Sequence, residues 1–296
     1  MNSDLKDYLA EYILPVKYAY TLSASDYHTK YAQSQGYKSN VKIDNRKYAF
    51  LANYIEGSIY DYCEIGADDG TISLDIINSL KENRLLFNQH IFLDFSKELL
   101  NKCEKNVNSV LPFSKNIFIQ CDIEKKNNLI QFSNHKKIIF FLGNTLGNVE
   151  SEDDVLKNIN NFMTEDDYLL LGLTLRNSHY YELSGYNNDL FRESVFEYLR
   201  ILGIKTDAKN YILRYDDIKH TIYCEYILDE DFSFQNILLY KGRKIRCFQS
   251  RRYDIDSSKN LFKNNFFRLV ETIIDEDSRH VLFLLKKASI ERSHDD

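Results

Sequence analysis

Proline and glycine are scarce in this 296-residue chain, at 2 and 10 residues, which argues against a linker-rich or repetitive architecture. The 5 cysteines stand at positions 63, 103, 121, 224 and 247 with no C-x-x-C pair. That scatter speaks against structural zinc and against a disulfide framework, and it suits a reducing, cytoplasmic compartment. No charged-then-apolar leader opens the sequence, and no apolar run approaches the roughly 20 residues a membrane span needs. Neither export nor a membrane partner is expected. Positive charge is also in deficit, with 38 Lys and Arg against 44 Asp and Glu and a formal charge of −6. A chain of that sign is poorly suited to hold a polyanion, so nucleic acid is not an expected partner. The 7 histidines are isolated, so each reads as a surface or satisfied side chain and no metal is expected.

What is present is a large apolar fraction, 44%, in a chain long enough for one large domain or two modest ones. From residue 58 the sequence alternates strand-like and helix-like segments. SIYDYCEI (58–65), HIFLDF (90–95), NIFIQCDI (116–123), KKIIFFLGN (136–144) and DYLLLGLTL (167–175) read as strands. Several are apolar throughout, as strands covered on both faces are. Between them, TISLDIINSLKENR (71–84), SKELLNKCEKNV (96–107) and SEDDVLKNINNFM (151–163) carry helical spacing. A further helix is expected from Arg46 to Ile55. This order predicts an α/β fold with a parallel, Rossmann-like sheet. The rhythm breaks over 177–250, where a helix near 187–202 precedes antiparallel-looking stretches. It returns in a helix near 257–270 and a last strand at 279–287. The expected division is therefore 38–176 plus 251–296 as one unit, and 1–37 plus 177–250 as a second, inserted α+β unit.

Chemistry gathers at the predicted strand ends. Glu64-Ile65-Gly66-Ala67-Asp68-Asp69-Gly70 occupies a strand-to-helix turn, where Gly66 and Gly70 either make a plain left-handed turn or let the backbone approach a ligand. Asp94 ends the next strand and Asp122 the third. Each either caps the helix that follows or faces a nucleoside, Asp94 at the ribose hydroxyls and Asp122 at the adenine amino group. Phe141 to Asn148, FLGNTLGN, follows an apolar strand with two glycines and two asparagines. It reads as a tight turn or as a polar floor touching both a cofactor and an acceptor.

Taken together these motifs resemble the histidine-specific methyltransferase family, whose best-known members methylate the α-amino group of histidine. Leu14 to Tyr20 resembles its P-x-K-x-x-Y segment. Glu64 to Gly70 resembles its cofactor loop, and FLGNTLGN its F-L-G-S-T-I-G-N. Gly172 to Leu175 resembles G-x-D-L with Thr174 in place of the acid, Gly185 to Asn188 resembles A-Y-D/N-D, and Gly242 to Tyr253 resembles its last motif. The resemblance implies S-adenosylmethionine as cofactor, held by Glu64, Gly66, Gly70, Asp94, Asp122, Gly143 and Asn144. It implies Tyr20 beside the methylated nitrogen and Tyr37, Asn148, Tyr186 and Ser250 around a free amino acid. The family's acid two residues before the motif serine would fall at Phe248. A phenyl ring cannot accept from an imidazole N–H, so the expected acceptor is histidine-like or, given Phe248, aromatic or apolar, and Gln249 compensates for the lost acid only if its side chain turns inward. Two alternatives stand beside this reading: methylation of another small amine in natural-product assembly, or a nucleoside-binding relative without catalysis.

Overall fold

The computed structural model describes residues 3–33, 45–55, 59–126, 128–129, 134–176, 183–276 and 278–288. Tyr37 lies outside them. The chain begins with helix α1 (Ser3–Ala10), a 3-10 segment (Val16–Tyr20) and α2 (Ala24–Ala32). A second 3-10 stretch, Asn45–Leu51, runs into a single α turn, α3 (Ala52–Ile55). The continuous helix expected there is thus mostly of the tighter kind.

Five strands then alternate with helices: β1 (Tyr60–Ile65), α4 (Thr71–Glu82), β2 (Phe87–Asp94), α5 (Lys97–Val110), β3 (Asn116–Gln120), β4 (Lys136–Phe141), α6 (Glu152–Phe162) and β5 (Tyr168–Thr174). Local chemistry sets the helix starts. The Ser96 hydroxyl accepts from the Leu99 N–H, and the Ser151 hydroxyl from the Asp154 N–H, satisfying amides that have no partner inside the helix. Glu152, Asp153 and Asp154 add negative charge at the positive end of α6.

Helix α7 (Asp189–Ile201) follows, with Asn188 accepting from the Phe191 N–H as its cap. Strands β6 (Tyr211–Asp216), β7 (Thr221–Ile227) and β10 (Lys244–Arg251) form an antiparallel sheet in the order β10-β7-β6, and β8 (Phe232–Phe234) pairs with β9 (Ile237–Leu239) as a hairpin. The chain then returns to the large sheet through α8 (Ile255–Asn264), β11 (Phe267–Ile274) and β12 (His280–Lys287). The helix expected to reach residue 270 stops at Asn264. Phe266 takes a φ of 60°, and the Asn265 amide turns back to the Leu261 carbonyl, so FRLVETII leaves as a strand paired with β12.

The large sheet runs β11-β12-β5-β4-β1-β2-β3. Pairings among β1 to β5 are parallel, and β12 is antiparallel to both its neighbours. One apolar core packs α6 and α8 against one face of this sheet. A second packs α3, α4 and α5 against the other. A third joins Leu5, Leu9 and Leu14 from the N-terminal segment to α7 and the antiparallel sheet. No described helix is long and apolar enough to cross a membrane.

Candidate active site

The chain moves outward from β1 to β2 and β3, then crosses back to β4 on the other side of β1. In open α/β sheets the carboxyl edge at such a reversal is where a crevice opens. Here it holds a cleft of about 930 Å³, the size of a nucleoside or drug-sized ligand site. Glu64, Gly66, Asp94, Asp122 and Gly143 line it. Gly66 sits at φ 77°, its amide bonded to the Leu93 carbonyl at 2.8 Å, so the backbone itself forms the floor. Glu64 is buried and accepts from the Tyr62 hydroxyl at 2.6 Å; burial pushes its carboxyl up to about 7. Asp94 takes the Ser96 amide on Oδ1 at 2.8 Å and the Asp68 amide on Oδ2 at 3.0 Å. Burial outweighs those bonds and pushes it, too, up to about 7.

Two of the expected cofactor residues stand elsewhere. Gly70 does not line the cleft. A Cβ there would come within 2.8 Å of Cys103 Sγ, so its task is to let α4 start against α5. Asn144, at φ 59°, lines a second cavity, and its amide ties three segments together. Its Nδ2 donates to Ser250 Oγ and to the Arg251 carbonyl, each at 3.1 Å, and its Oδ1 accepts from the Thr174 amide at 2.9 Å. Asp122 is in the cleft, but Lys17 Nζ lies 2.9 Å from its Oδ2, and its Oδ1 accepts from the Glu124 amide. Lys17 also sits 3.3 Å from Glu124 Oε1. Burial works against the lysine's charge, yet the two carboxylates overcome it and hold its pKa above the ordinary value.

The second cavity is small, about 50 Å³. Tyr20, His28, Gly143 and Asn148 line both it and the cleft, and so form the wall where the two meet. The Asn148 amide hydrogen-bonds the Tyr20 hydroxyl, which favours phenolate, but burial dominates and pushes the phenol well up. Asn148 Oδ1 is buried with no hydrogen-bond partner among the described residues. The far end of the cavity is aromatic. Phe248 meets Phe191 edge-on at 4.9 Å and Tyr186 at 5.4 Å. Ser250 Oγ takes Arg252 Nη1 at 2.8 Å, and Arg252 Nη2 donates to the Tyr186 hydroxyl at 3.0 Å. Gln249 turns away from the cavity and donates to the Val149 carbonyl at 2.7 Å. It does not replace the acid that Phe248 lacks.

One pair escaped sequence reasoning. His28 Nε2 on α2 lies 3.0 Å from Asp68 Oδ2 in the loop after β1. The two are 40 residues apart, and neither motif nor periodicity joins them. The only local hint is the acid in a turn otherwise built for glycine: Asp68 takes φ 51°.

A family model described as histidine-specific, S-adenosylmethionine-dependent methyltransferase matches residues 13–287. The chain belongs to this family. It is an S-adenosylmethionine-dependent methyltransferase. Its fold is similar to that of a Clostridium acetobutylicum S-adenosylmethionine-dependent methyltransferase, with a TM-score of 0.52, 14% identity, and coverage of 90% of this chain and 100% of that one. The CcbJ methyltransferase of Streptomyces caelestis aligns at TM-score 0.53 and 11% identity over 93% of this chain and 99% of its own. Magnesium protoporphyrin IX methyltransferase of Synechocystis, solved with bound S-adenosylhomocysteine, aligns at 0.53 and 9% over 92% and 98%. No curated protein matches the sequence significantly.

The cleft of this methyltransferase fits its cofactor. Acidic side chains at the ends of β1 and β2 suit a sulfonium compound bearing an amino group and ribose hydroxyls, and the glycine turn admits the ligand close to the backbone. Asp68 Oδ1, buried and without a partner among the described residues, is a further acceptor facing it.

Proposed function

We propose that the enzyme methylates the α-amino group of a free amino acid with an apolar side chain. The observation that carries this is Asn148 Oδ1, a buried acceptor lacking a partner among the described residues on the wall shared by cleft and cavity. A buried acceptor of that kind calls for a donor, since leaving it unmet costs about 1–3 kcal/mol. An amine arriving at this wall provides one. Bound in the cleft, S-adenosylmethionine supplies an electrophilic methyl group. The protein's part is alignment. Asn148 and Tyr20 fix the nitrogen in the passage between the cavities, and holding reacting atoms ~3–3.5 Å apart supplies much of the acceleration.

The acceptor's side chain points, in this reading, toward Phe191, Val195 and Phe248. That end offers no carboxylate to an imidazole, and Phe191, Val195 and Phe248 present apolar surface there. Tyr186, Ser250 and Arg252 shape the polar side of the same end. A kinetic comparison of two variants tests this. Asn148→Ala should lower kcat/KM for all amino-acid acceptors alike, by about ten- to a hundredfold for one lost charge-assisted hydrogen bond. Phe248→Glu should raise histidine relative to apolar amino acids. Unchanged turnover in Asn148→Ala would contradict the proposal, and so would a wild-type enzyme that prefers histidine.

A further inference from the structure

S-adenosylmethionine is a long molecule, and its chemistry fixes one end of it. The methyl group must reach the wall shared by cleft and cavity, which Gly143 and Asn148 build beyond β4. From β4 the sheet runs through β1 and β2 to β3, with strands about 4.8 Å apart. The cleft follows the same line, past Glu64 in β1 and Asp94 at the end of β2 to Asp122 beyond β3. The base, remote from the methyl group, therefore belongs at the β3 end.

That end suits a flat ring with a patterned edge. Phe95 and Ile123 give it apolar surface, and Asp122 and Lys17 stand side by side, with Lys17 Nζ 2.9 Å from Asp122 Oδ2. A carboxylate only accepts and an ammonium only donates. Adenine presents the complementary pair: an amino group that donates and, on either side of it, a ring nitrogen that accepts (N1 or N7). A base with a carbonyl in place of the amino group would set an acceptor against the carboxylate.

Both side chains have capacity to spare. Each oxygen of Asp122 is engaged once, by Lys17 and by the Glu124 amide at 3.2 Å, and a carboxylate has about four acceptor sites. The Lys17 ammonium carries three hydrogens. One goes to Asp122 Oδ2 and one faces Glu124 Oε1 at 3.3 Å. The third meets no hydrogen-bond acceptor among the described residues. Nζ stands at the cleft wall: Asp122, Glu124 and Phe95, whose ring centroid is 5.3 Å from it, all line the cleft. Tyr8 and Tyr18, which do not line it, lie farther off with centroids at 6.0 Å. The two carboxylates keep the lysine charged against burial.

We propose that Lys17 is a cofactor-binding residue that donates to a ring nitrogen of the adenine while Asp122 takes the neighbouring amino group. Lys17 then has two tasks. It balances Asp122 and Glu124, which holds the Val16–Tyr20 segment in place, and it reads the base. The assignment concerns the methyl donor alone and is independent of the acceptor.

Calorimetry on the full chain tests it, with S-adenosylhomocysteine and three analogues: the 1-deaza and 7-deaza bases, each lacking one ring nitrogen, and the hypoxanthine base. The wild type should bind one deaza analogue about ten- to a hundredfold more weakly than S-adenosylhomocysteine, because a hydrogen bond to a charged donor is lost. It should disfavour the hypoxanthine analogue as well. In Lys17→Met the deaza penalty should vanish, so that S-adenosylhomocysteine and that analogue bind alike. Lys17→Met combined with Glu124→Gln leaves one buried carboxylate fewer, and should show the same equality with a smaller loss of Tm. A purely structural lysine would lower Tm without changing the ratio of the two affinities. Full wild-type affinity for both deaza analogues would overturn the assignment. So would a deaza penalty that persists undiminished in the lysine variants, since another group then reads the ring nitrogen. Equal binding of the hypoxanthine analogue would place the base away from Asp122 and overturn it too.

Discussion

Asp94 and Glu64 share an unusual condition: both are ligand-facing carboxyls that burial holds near 7 rather than near their ordinary 3.8 and 4.5. A cationic ligand with hydrogen-bond donors prefers them ionised. The bound state therefore holds fewer protons, and donor affinity should rise with pH and level off above about 7. Folding runs the other way. The native state binds more protons than the unfolded chain below that point, so the pair's stabilising contribution is present in acid and lost as pH rises through about 7. Thermal melts should show the donor raising Tm more above that pH than below it, and an equal shift on both sides would contradict the assignment. By calorimetry, Asp94→Ala should weaken donor binding by about 1.5–3 kcal/mol per lost bond, and unchanged affinity would remove Asp94 from the site. The positions of Glu64, Gly66 and Asp94 were readable in the sequence because strand ends and a glycine turn place them in order. The engagement of Asp122 by Lys17, and the His28–Asp68 pair, were not. Those partners are 105 and 40 residues apart, and only the tertiary fold joins them.

The 3-10 segment Val16–Tyr20 is the element that links the N-terminal region to the cleft. It sets Lys17 on Asp122 and Glu124, and, three residues on, Tyr20 beside Asn148. All three charged groups are close to nine-tenths buried. Removing the cation would leave two buried carboxylates uncompensated, a loss of about 3–5 kcal/mol. Denaturant unfolding of Lys17→Met should show that loss, with Lys17→Arg retaining most of the stability and acid pH narrowing the gap as the carboxyls protonate. A neutral Lys17→Met would contradict the role given to this segment. Elements with one dominant signal were legible: apolar runs became β4 and β5, and Ser151 with its acids started α6. Those decided by a single residue were not. The Phe266 turn that ends α8 and releases β11 has no counterpart in hydrophobic spacing.

At the scale of the molecule, the large sheet is interrupted after β5 and completed by β11 and β12, with the antiparallel sheet between them in sequence. The third core, which joins the N-terminal segment to α7 and that sheet, meets the cofactor side through Tyr20, His28 and Asn148. We propose that the acceptor binds on this side, in the small cavity, and the donor in the cleft at the carboxyl edge of the large sheet. The shared wall between cleft and cavity is then the point of methyl transfer. The most direct measurement is to incubate the full chain with S-adenosylmethionine and the free amino acids singly, and to read products by mass spectrometry. The expected product is an N-methylated apolar amino acid, formed as donor is converted to S-adenosylhomocysteine. Methylation confined to amines without a carboxylate, to histidine, or to oxygen or sulfur nucleophiles would contradict it.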